Sequence, residues 1–259
     1  MSEASKRANS IWVFDFDGTL SEVVPDRNEA SLHPACQQML TALLGSESEE
    51  VAILSSRRLE DLIPRIPFRG ILLAASSGLE LRLSNGEIVL PNKREFQELE
   101  PVRLQIMPLV RSIELNIPFV EIEDKLWSVT VHYRRVSPDN RPSLRYMLAA
   151  LGSIPGIQVF EGTEALELMM VPRYSKSAGL RKIARITGFD RCVAKIVFAG
   201  NDENDARAMR WVLGKGGRSI VVGNRIHVEG ALVVSDQVEL AAKVMSLRLS
   251  QKTPHSAGR

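Results

Sequence analysis

Short apolar runs punctuate the chain, and each ends in a polar cluster. Residues 11–14 are β-branched and aromatic and are followed by Asp15, Asp17 and the turn-forming Gly18. Residues 51–54 run into Ser55-Ser56-Arg57, and residues 71–75 into Ser76-Ser77-Gly78. Apolar runs of this length without alternation read as parallel strands buried on both faces. Between them the spacing turns helical. Pro34 opens a pattern through Met39, Leu40, Leu43 and Leu44 that stops near Gly45, and a short helix over 59–63 stops before Pro64. The same rhythm returns late, with a helix over 175–187, a strand at 195–199, a helix over 205–213, strands at 219–222 and 232–234, and a helix over 238–249. Strand and helix in alternation predict a doubly wound, mostly parallel α/β core.

The middle of the chain has another pattern. Residues 79–83 and 87–90 flank Asn85-Gly86, a strong two-residue hairpin signal. A helix is expected over 95–115, then strands at 119–122 and 127–133, a helix over 142–151, and strands at 157–160 and 165–170. That is an antiparallel α+β block. It predicts a core built from residues 1–90 and 172–259, with an α/β cap inserted over 91–171. Pro91 and Pro172 fall in the two connections, which are the expected hinges.

Composition narrows the function classes. The 259 residues carry 33 basic and 31 acidic side chains, a net charge of +2, so no strong field points to nucleic acid. Lys182, Arg185 and Arg191 read as a solvated face. Cys36 and Cys192 are too few for a disulfide framework and lack zinc spacing. No apolar run approaches the roughly 18 residues that span a bilayer. Met1 to Asn9 lacks the apolar centre of a signal peptide, and the last ten residues are polar. The expectation is a cytoplasmic protein, monomeric or weakly dimeric, without nucleic-acid or membrane partners.

Ligands of doubly wound sheets bind beyond the carboxyl ends of the strands. Three polar clusters fall there: Asp15-Phe-Asp17-Gly-Thr19, Ser55-Ser56-Arg57, and Asn201-Asp202-Glu203-Asn204-Asp205. Lys176 opens the helix after the insert. Singly, each reads as a turn, a helix cap or a solvated lysine. Together they suit a phosphate ester. A carboxylate attacks phosphorus to form an aspartyl-phosphate, which water hydrolyses. Bringing two anions together requires a divalent cation and positive side chains. Asp15 and an oxygen from Asn201 or Asp202 suit Mg2+, with Asp17 and Asp205 as further candidate ligands. Asp17, turned back by Gly18, can protonate the leaving alkoxide and then activate water. Thr19, Ser55, Ser56 and Arg57 offer donors to phosphate oxygens, and Lys176 a compact positive charge.

These residues carry a resemblance. Asp15-Phe-Asp-Gly-Thr-Leu20 resembles the first motif of the haloacid-dehalogenase-like phosphatases, and Ser55, Lys176 and Gly200 to Asp205 resemble the second, third and fourth, in order. The insert resembles the α/β cap of that superfamily's IIB branch. Within the branch the chain is most similar to trehalose-6-phosphate phosphatases, on Val51-Ala-Ile-Leu-Ser-Ser-Arg57, Ile122-Glu-Asp-Lys125, Val131-His-Tyr-Arg134 and Ala165-Leu-Glu-Leu168. The resemblance implies a Mg2+-dependent sugar-phosphate hydrolase. It implies that Glu123, Lys125, His132, Arg134 and Glu167 contact sugar hydroxyls or phosphate.

Three positions depart from the family pattern. Asn201 stands where the fourth motif usually has Asp, which removes a negative charge from the expected metal site. Ser76-Ser77-Gly78 replaces Asn-His-Gly, and Ser177 replaces the glycine after the lysine. The second departure keeps other phosphorylated glycosides open, such as glucosyl- or mannosyl-glycerate phosphate and sucrose phosphate. Asn201 keeps open a phosphosugar-binding protein without turnover.

Overall fold

The computed structural model describes residues 10–24, 26–162, 164–189 and 195–252. The expectations for Met1 to Asn9, Arg191, Cys192 and the last seven residues lie outside the described residues.

The core is one eight-stranded sheet. Its strands are β1 (Ser10–Phe14), β2 (Glu49–Leu54), β3 (Leu72–Ala75), β4 (Glu80–Arg82), β5 (Ile88–Val89), then β10 (Lys195–Gly200), β11 (Arg218–Val222) and β12 (Leu232–Val234). Between the two groups come the four cap strands, β6 (Glu121–Asp124), β7 (Ser128–His132), β8 (Gln158–Gly162) and β9 (Ala165–Met169). The core order is β12-β11-β10-β1-β2-β3-β4-β5, with the first six parallel and the last two antiparallel. The Asn85-Gly86 turn forms the expected hairpin, with Gly86 at φ +91°, and it extends the sheet edge.

β1 explains why its run carries no polar residue. Trp12 and Phe14 point into one layer, under α1 (Pro34–Leu44) and α7 (Gln237–Lys252). Ile11 and Val13 point into the other, under α5 (Lys176–Ile186) and α6 (Glu203–Gly214). Chain order reverses at β1, with β2 on one side and β10 on the other. Asp15 therefore sits at the topological switch point, where such sheets bind ligands.

The cap packs α3 (Lys93–Asn116) and α4 (Arg141–Gly152) on one face of its sheet, ordered β6-β7-β9-β8 and wholly antiparallel. A capping box between Asn92 and Glu95 starts α3. Val129 and Val131 join the cluster of Ile106, Val110, Ile113, Leu144 and Leu148 under the helices. Strand alternation then turns Ser128, Thr130 and His132 to the opposite face, toward the core. Register puts Glu123, Thr130 and Glu167 in one cross-strand row.

Several boundaries differ from the sequence expectation, two of them for a local chemical reason. The first cap strand begins at Glu121, not at 119. Pro118 follows the end of α3 and exposed Phe119 turns through φ +66°, so the chain is not yet extended there. Helix α6 begins at Glu203, not near 205. Asp202 caps it and Asp205 bonds back to the cap residue's backbone, so the acidic cluster forms the first turn itself.

Candidate active site

The end of β1 is folded tightly around one carbonyl. The amides of Thr19, Leu20 and Ser21 all reach Phe16 O, at 3.2, 2.9 and 3.0 Å. Gly18 has φ +77°, and a Cβ there would lie 2.1 Å from the Asn201 side chain. Only glycine permits both the turn and that approach. Asp15 is thereby buried against motif residues from two other segments, Lys176 and the 201–205 segment.

Lys176 meets it from α5. Its Nζ donates to Asp15 Oδ1 at 2.7 Å and to Asp205 Oδ1 at 2.8 Å, and all three groups are buried. Close packing sets this position. A Cβ on Gly179, one turn along α5, would lie 2.4 Å from Ser77 O, and one on Gly78 would lie 2.5 Å from the Gly179 Cα. The helix start reaches Asp15 because two glycines let α5 rest on the loop after β3. That loop runs through φ +46°, +58° and +95° at Ser76, Ser77 and Gly78.

Burial pushes the Asp15 carboxyl up to about 6, and Lys176 opposes the shift. Burial works against the Lys176 charge, yet Asp15, Asp202 and Asp205 hold its pKa well above the ordinary value. The pair is thus an ionised carboxylate fixed by a permanent ammonium. Asp205 plays a holding part. Its Oδ2 accepts the Asn201 and Asp202 amides at 2.9 and 3.2 Å, so both its oxygens are engaged. Gly200 gives it room, since a Cβ there would sit 2.4 Å from the carboxyl carbon. Asp202 is partly exposed at the cap of α6.

A cation corner lies on the other side of Asp15. One heteroatom of the Asn201 amide is 2.9 Å from the Asp17 carbonyl and 3.3 Å from Asp15 Oδ2. With nitrogen there, the amide donates to both oxygens. With oxygen there, three oxygens converge in a set that a cation can bridge. This hard-oxygen set fits Mg2+. Among the described residues no group of three His, Cys, Asp or Glu side chains forms a metal cluster, so the fit depends on the amide and a main-chain carbonyl.

The remaining core residues form a guanidinium clamp. Arg57 is 3% exposed and grips the Asp17 carboxylate twice, through Nε at 2.8 Å and Nη2 at 2.7 Å. Its Nη1 donates to Asp61 at 2.6 Å. Arg27 bonds the same Asp61 carboxylate at 3.1 Å and also pairs with Glu123 of the cap. Asp17 thus offers its carbonyl to the cation corner while its carboxylate is held by Arg57. Ser55 is buried, and its Oγ accepts the Arg57 amide at 3.2 Å. Thr19 Oγ1 lies 3.4 Å from both Asp15 Oδ2 and Asn201 Oδ1. Ser56 is only half-buried.

Four of the five expected cap residues come together. Lys125 Nζ lies 3.2 Å from Glu167 and 3.5 Å from Glu123, and His132 Nε2 lies 3.0 Å from Glu123. Glu167 also accepts from Ser128 at 2.9 Å and from Asn204 of the core at 2.9 Å. Lys125 and Ser128 overcome burial and hold Glu167 below the ordinary carboxylate range. Arg134 stands apart, half-exposed beside Glu164. Sequence reasoning missed Arg27, Asp61, Thr130 and Glu80, and it placed Asn204 in the polar cluster after β10 without giving it a role. Asp61 carries a signal as the i+4 partner of Arg57. Glu80 has none: it accepts from Leu59 N at 2.7 Å and from Trp127 of the cap at 3.2 Å.

His132 yields a pH prediction. Burial, then Lys125, Arg27 and Arg134, lower it to about 4, while Glu123 is already shared with two cations. Between about 4 and the ordinary histidine value of 6.5 the unfolded chain binds a proton there that the folded chain does not. Stability is therefore expected to fall as pH drops through that window. His132→Gln should flatten that part of the stability profile. A profile unchanged by the substitution would show that His132 titrates alike in both states.

Comparison with known proteins follows the same lines. A model of the trehalose-phosphatase family matches residues 13–235. The chain is 30% identical over 232 residues to the trehalose-phosphate phosphatase of Mycobacterium marinum, covering 89% of this chain and 58% of that protein. It thus spans little more than half the length of that curated relative. Among solved structures, the C-terminal domain of C. albicans trehalose-6-phosphate phosphatase superposes with TM-score 0.79 at 17% identity, over 94% of this chain and 92% of that one. A haloacid dehalogenase-like hydrolase from B. subtilis gives 0.60 at 12% identity, over 92% and 99%. The two structural likenesses are of fold. No helix among the described residues is long and apolar enough to cross a membrane.

Proposed function

The chain belongs to the trehalose-phosphatase family, and on that premise we propose that it hydrolyses trehalose 6-phosphate to trehalose and phosphate, with Mg2+, through a phosphoryl group carried on Asp15. One observation carries this reading: Lys176 fixes Asp15 Oδ1, and the cap brings Glu123, Lys125, His132 and Glu167 together where Arg27 and Asn204 of the core meet Glu123 and Glu167.

Asp15 Oδ2 faces the cation corner, which leaves Oδ1, already paired with Lys176, as the attacking atom. It forms a bond to phosphorus as the bond to the sugar oxygen breaks, and Asp17, once released from Arg57 and protonated from solvent, delivers that proton to the oxygen. Water then attacks the same phosphorus, gives its proton to Asp17, and frees phosphate and Asp15. Asp15, the Asp17 carbonyl and Asn201 would hold Mg2+, which when bound would supply positive charge to the phosphoryl oxygens. The cap excludes water and selects the sugar.

Phosphate release from a panel of sugar phosphates, with and without Mg2+, tests the proposal. Trehalose 6-phosphate is expected to exceed glucose 6-phosphate in kcat/KM by at least about ten-fold, in line with the loss of several hydroxyl contacts. Comparable rates on simple hexose phosphates, or full release in chelator, would sink it. Sucrose phosphate and the glycosyl-glycerate phosphates belong in the panel because Ser76 and Ser77 line the loop under α5.

Asn201 sets a second expectation. Asn201→Asp adds a formal charge to the oxygen set, so Mg2+ affinity should rise about ten-fold or more. Without metal the new carboxylate faces the Asp17 carbonyl and Asp15, and melting temperature should fall. Calorimetric titration and thermal melts with and without Mg2+ read both. Unchanged affinity would remove Asn201 from the metal site.

A further inference from the structure

Thr130 is the central residue of β7 and sits between Glu123 and Glu167 on the core-facing side. It is 5% exposed, and its Oγ1 has no hydrogen-bond partner. Across the cleft, Asn204 in the first turn of α6 donates Nδ2 to Glu167 Oε2 at 2.9 Å, while its own Oδ1 is buried without a partner. Two orphaned polar atoms therefore flank one carboxylate, one from the cap and one from the core. An unsatisfied buried polar group is destabilising, and native proteins carry few of them. Valine would fill the Thr130 position with the same shape and the same strand preference at no such cost.

The chemistry of these atoms selects their partner. Glu167 is anionic and the free atom of Asn204 is an acceptor, so a phosphate oxygen is repelled. An apolar group would leave both atoms unsatisfied. A hydroxyl can donate to Asn204 Oδ1 and accept from the Thr130 hydroxyl at once. Lys125 and Ser128 occupy Oε1 of Glu167 and Asn204 bonds Oε2, so the two orphans, with Oε2 once the Asn204 contact parts, are what remains for a ligand. We propose that Thr130 and Asn204, with Glu167, form a subsite for one sugar hydroxyl, and that Thr130 is a specificity-determining residue. The proposal rests on the sugar-phosphate reading of the site. The sugar enters as the cap lifts, parting the Asn204–Glu167 and Arg27–Glu123 ties that now span the cleft.

Thr130→Val and Thr130→Ser separate hydroxyl from shape. Each is assayed on trehalose 6-phosphate and on p-nitrophenyl phosphate, which undergoes the same chemistry without sugar hydroxyls. In Thr130→Val the ratio of kcat/KM on the sugar phosphate to that on the aryl phosphate is expected to fall about ten-fold, matching one lost buried hydrogen bond, with the loss in KM. Thr130→Ser should keep the wild-type ratio. An unchanged ratio in the valine variant, or equal loss in both variants, overturns the proposal. If the wild type cleaves the aryl ester but no sugar phosphate, the functional reading fails separately. Calorimetric binding of trehalose then decides the subsite: binding lost in Thr130→Val upholds it, and equal or absent binding removes it.

Discussion

Asp15→Asn is expected to abolish phosphate release, with kcat falling at least about 10⁴-fold, as when an activated nucleophile is deleted elsewhere. The variant keeps the shape of the residue and an oxygen that can still accept from Lys176, so it removes nucleophilicity more than structure. It also removes one negative charge from a buried cluster in which Asp15, Asp202 and Asp205 surround a single lysine. Folding should survive, and an unchanged far-ultraviolet spectrum with a melting temperature equal to or above the wild type is the control. A second measurement bears on the covalent step. Wild-type protein quenched in acid during turnover should carry phosphoryl label that hydroxylamine releases, and the variant should carry none. Substantial turnover by a preparation shown free of deamidation would remove Asp15 from the nucleophile's role.

Lys176→Met is expected to damage stability as well as catalysis. The thioether has similar length but strands Asp15 and Asp205, whose oxygens lie 2.7 and 2.8 Å from Nζ and are buried. Removing one partner of a buried ionic cluster costs about 3–5 kcal/mol, a large share of the total of roughly 5–15 kcal/mol that holds a domain together. The denaturant midpoint should fall accordingly. The pH dependence gives the cause. Asp15 is already raised in the folded protein to about 6 from 3.8, so its ionisation opposes folding, and loss of Lys176 raises it further. Below 3.8 the group is protonated in both states and contributes nothing. The deficit of the variant should therefore grow as pH rises and shrink in acid. A deficit independent of pH would mean that packing, rather than charge, is what Lys176 supplies. Turnover should fall by about 10²–10³-fold even where the variant is folded, the usual effect of losing one group that stabilises transition-state charge.

Much of this architecture was legible in the chain. A strand buried on both faces leaves no choice of residue, and so residues 11–14 and 51–54 carry unbroken apolar runs. A turn into a crowded site demands glycine, and Gly18, Gly78 and Gly179 mark three such places. The Asp15-to-Thr19 segment, Ser55, Lys176 and the 200–205 segment do converge, because each lies at a strand end or a helix start. Even the missing carboxylate at Asn201 was visible before its surroundings were.

The rest depends on contacts between residues far apart in the chain. Arg27 is indistinguishable from a solvated arginine until the fold sets it on Glu123, and only the fold buries Arg57 against Asp17 and Asp61. Arg57, expected at substrate phosphate, proves to be the holder of Asp17. Asp205, expected near the metal, has both oxygens engaged by Lys176 and two amides. Thr130 carries no pattern at all, and Asn204 is only one member of a polar cluster until the fold sets it on Glu167. Local sequence determined which residues could end strands, turn the chain and bear charge, because those demands act within a few residues. Tertiary structure alone decided which charges pair and which polar atoms stay unpaired, because those depend on distances the chain sets only when cap and core meet.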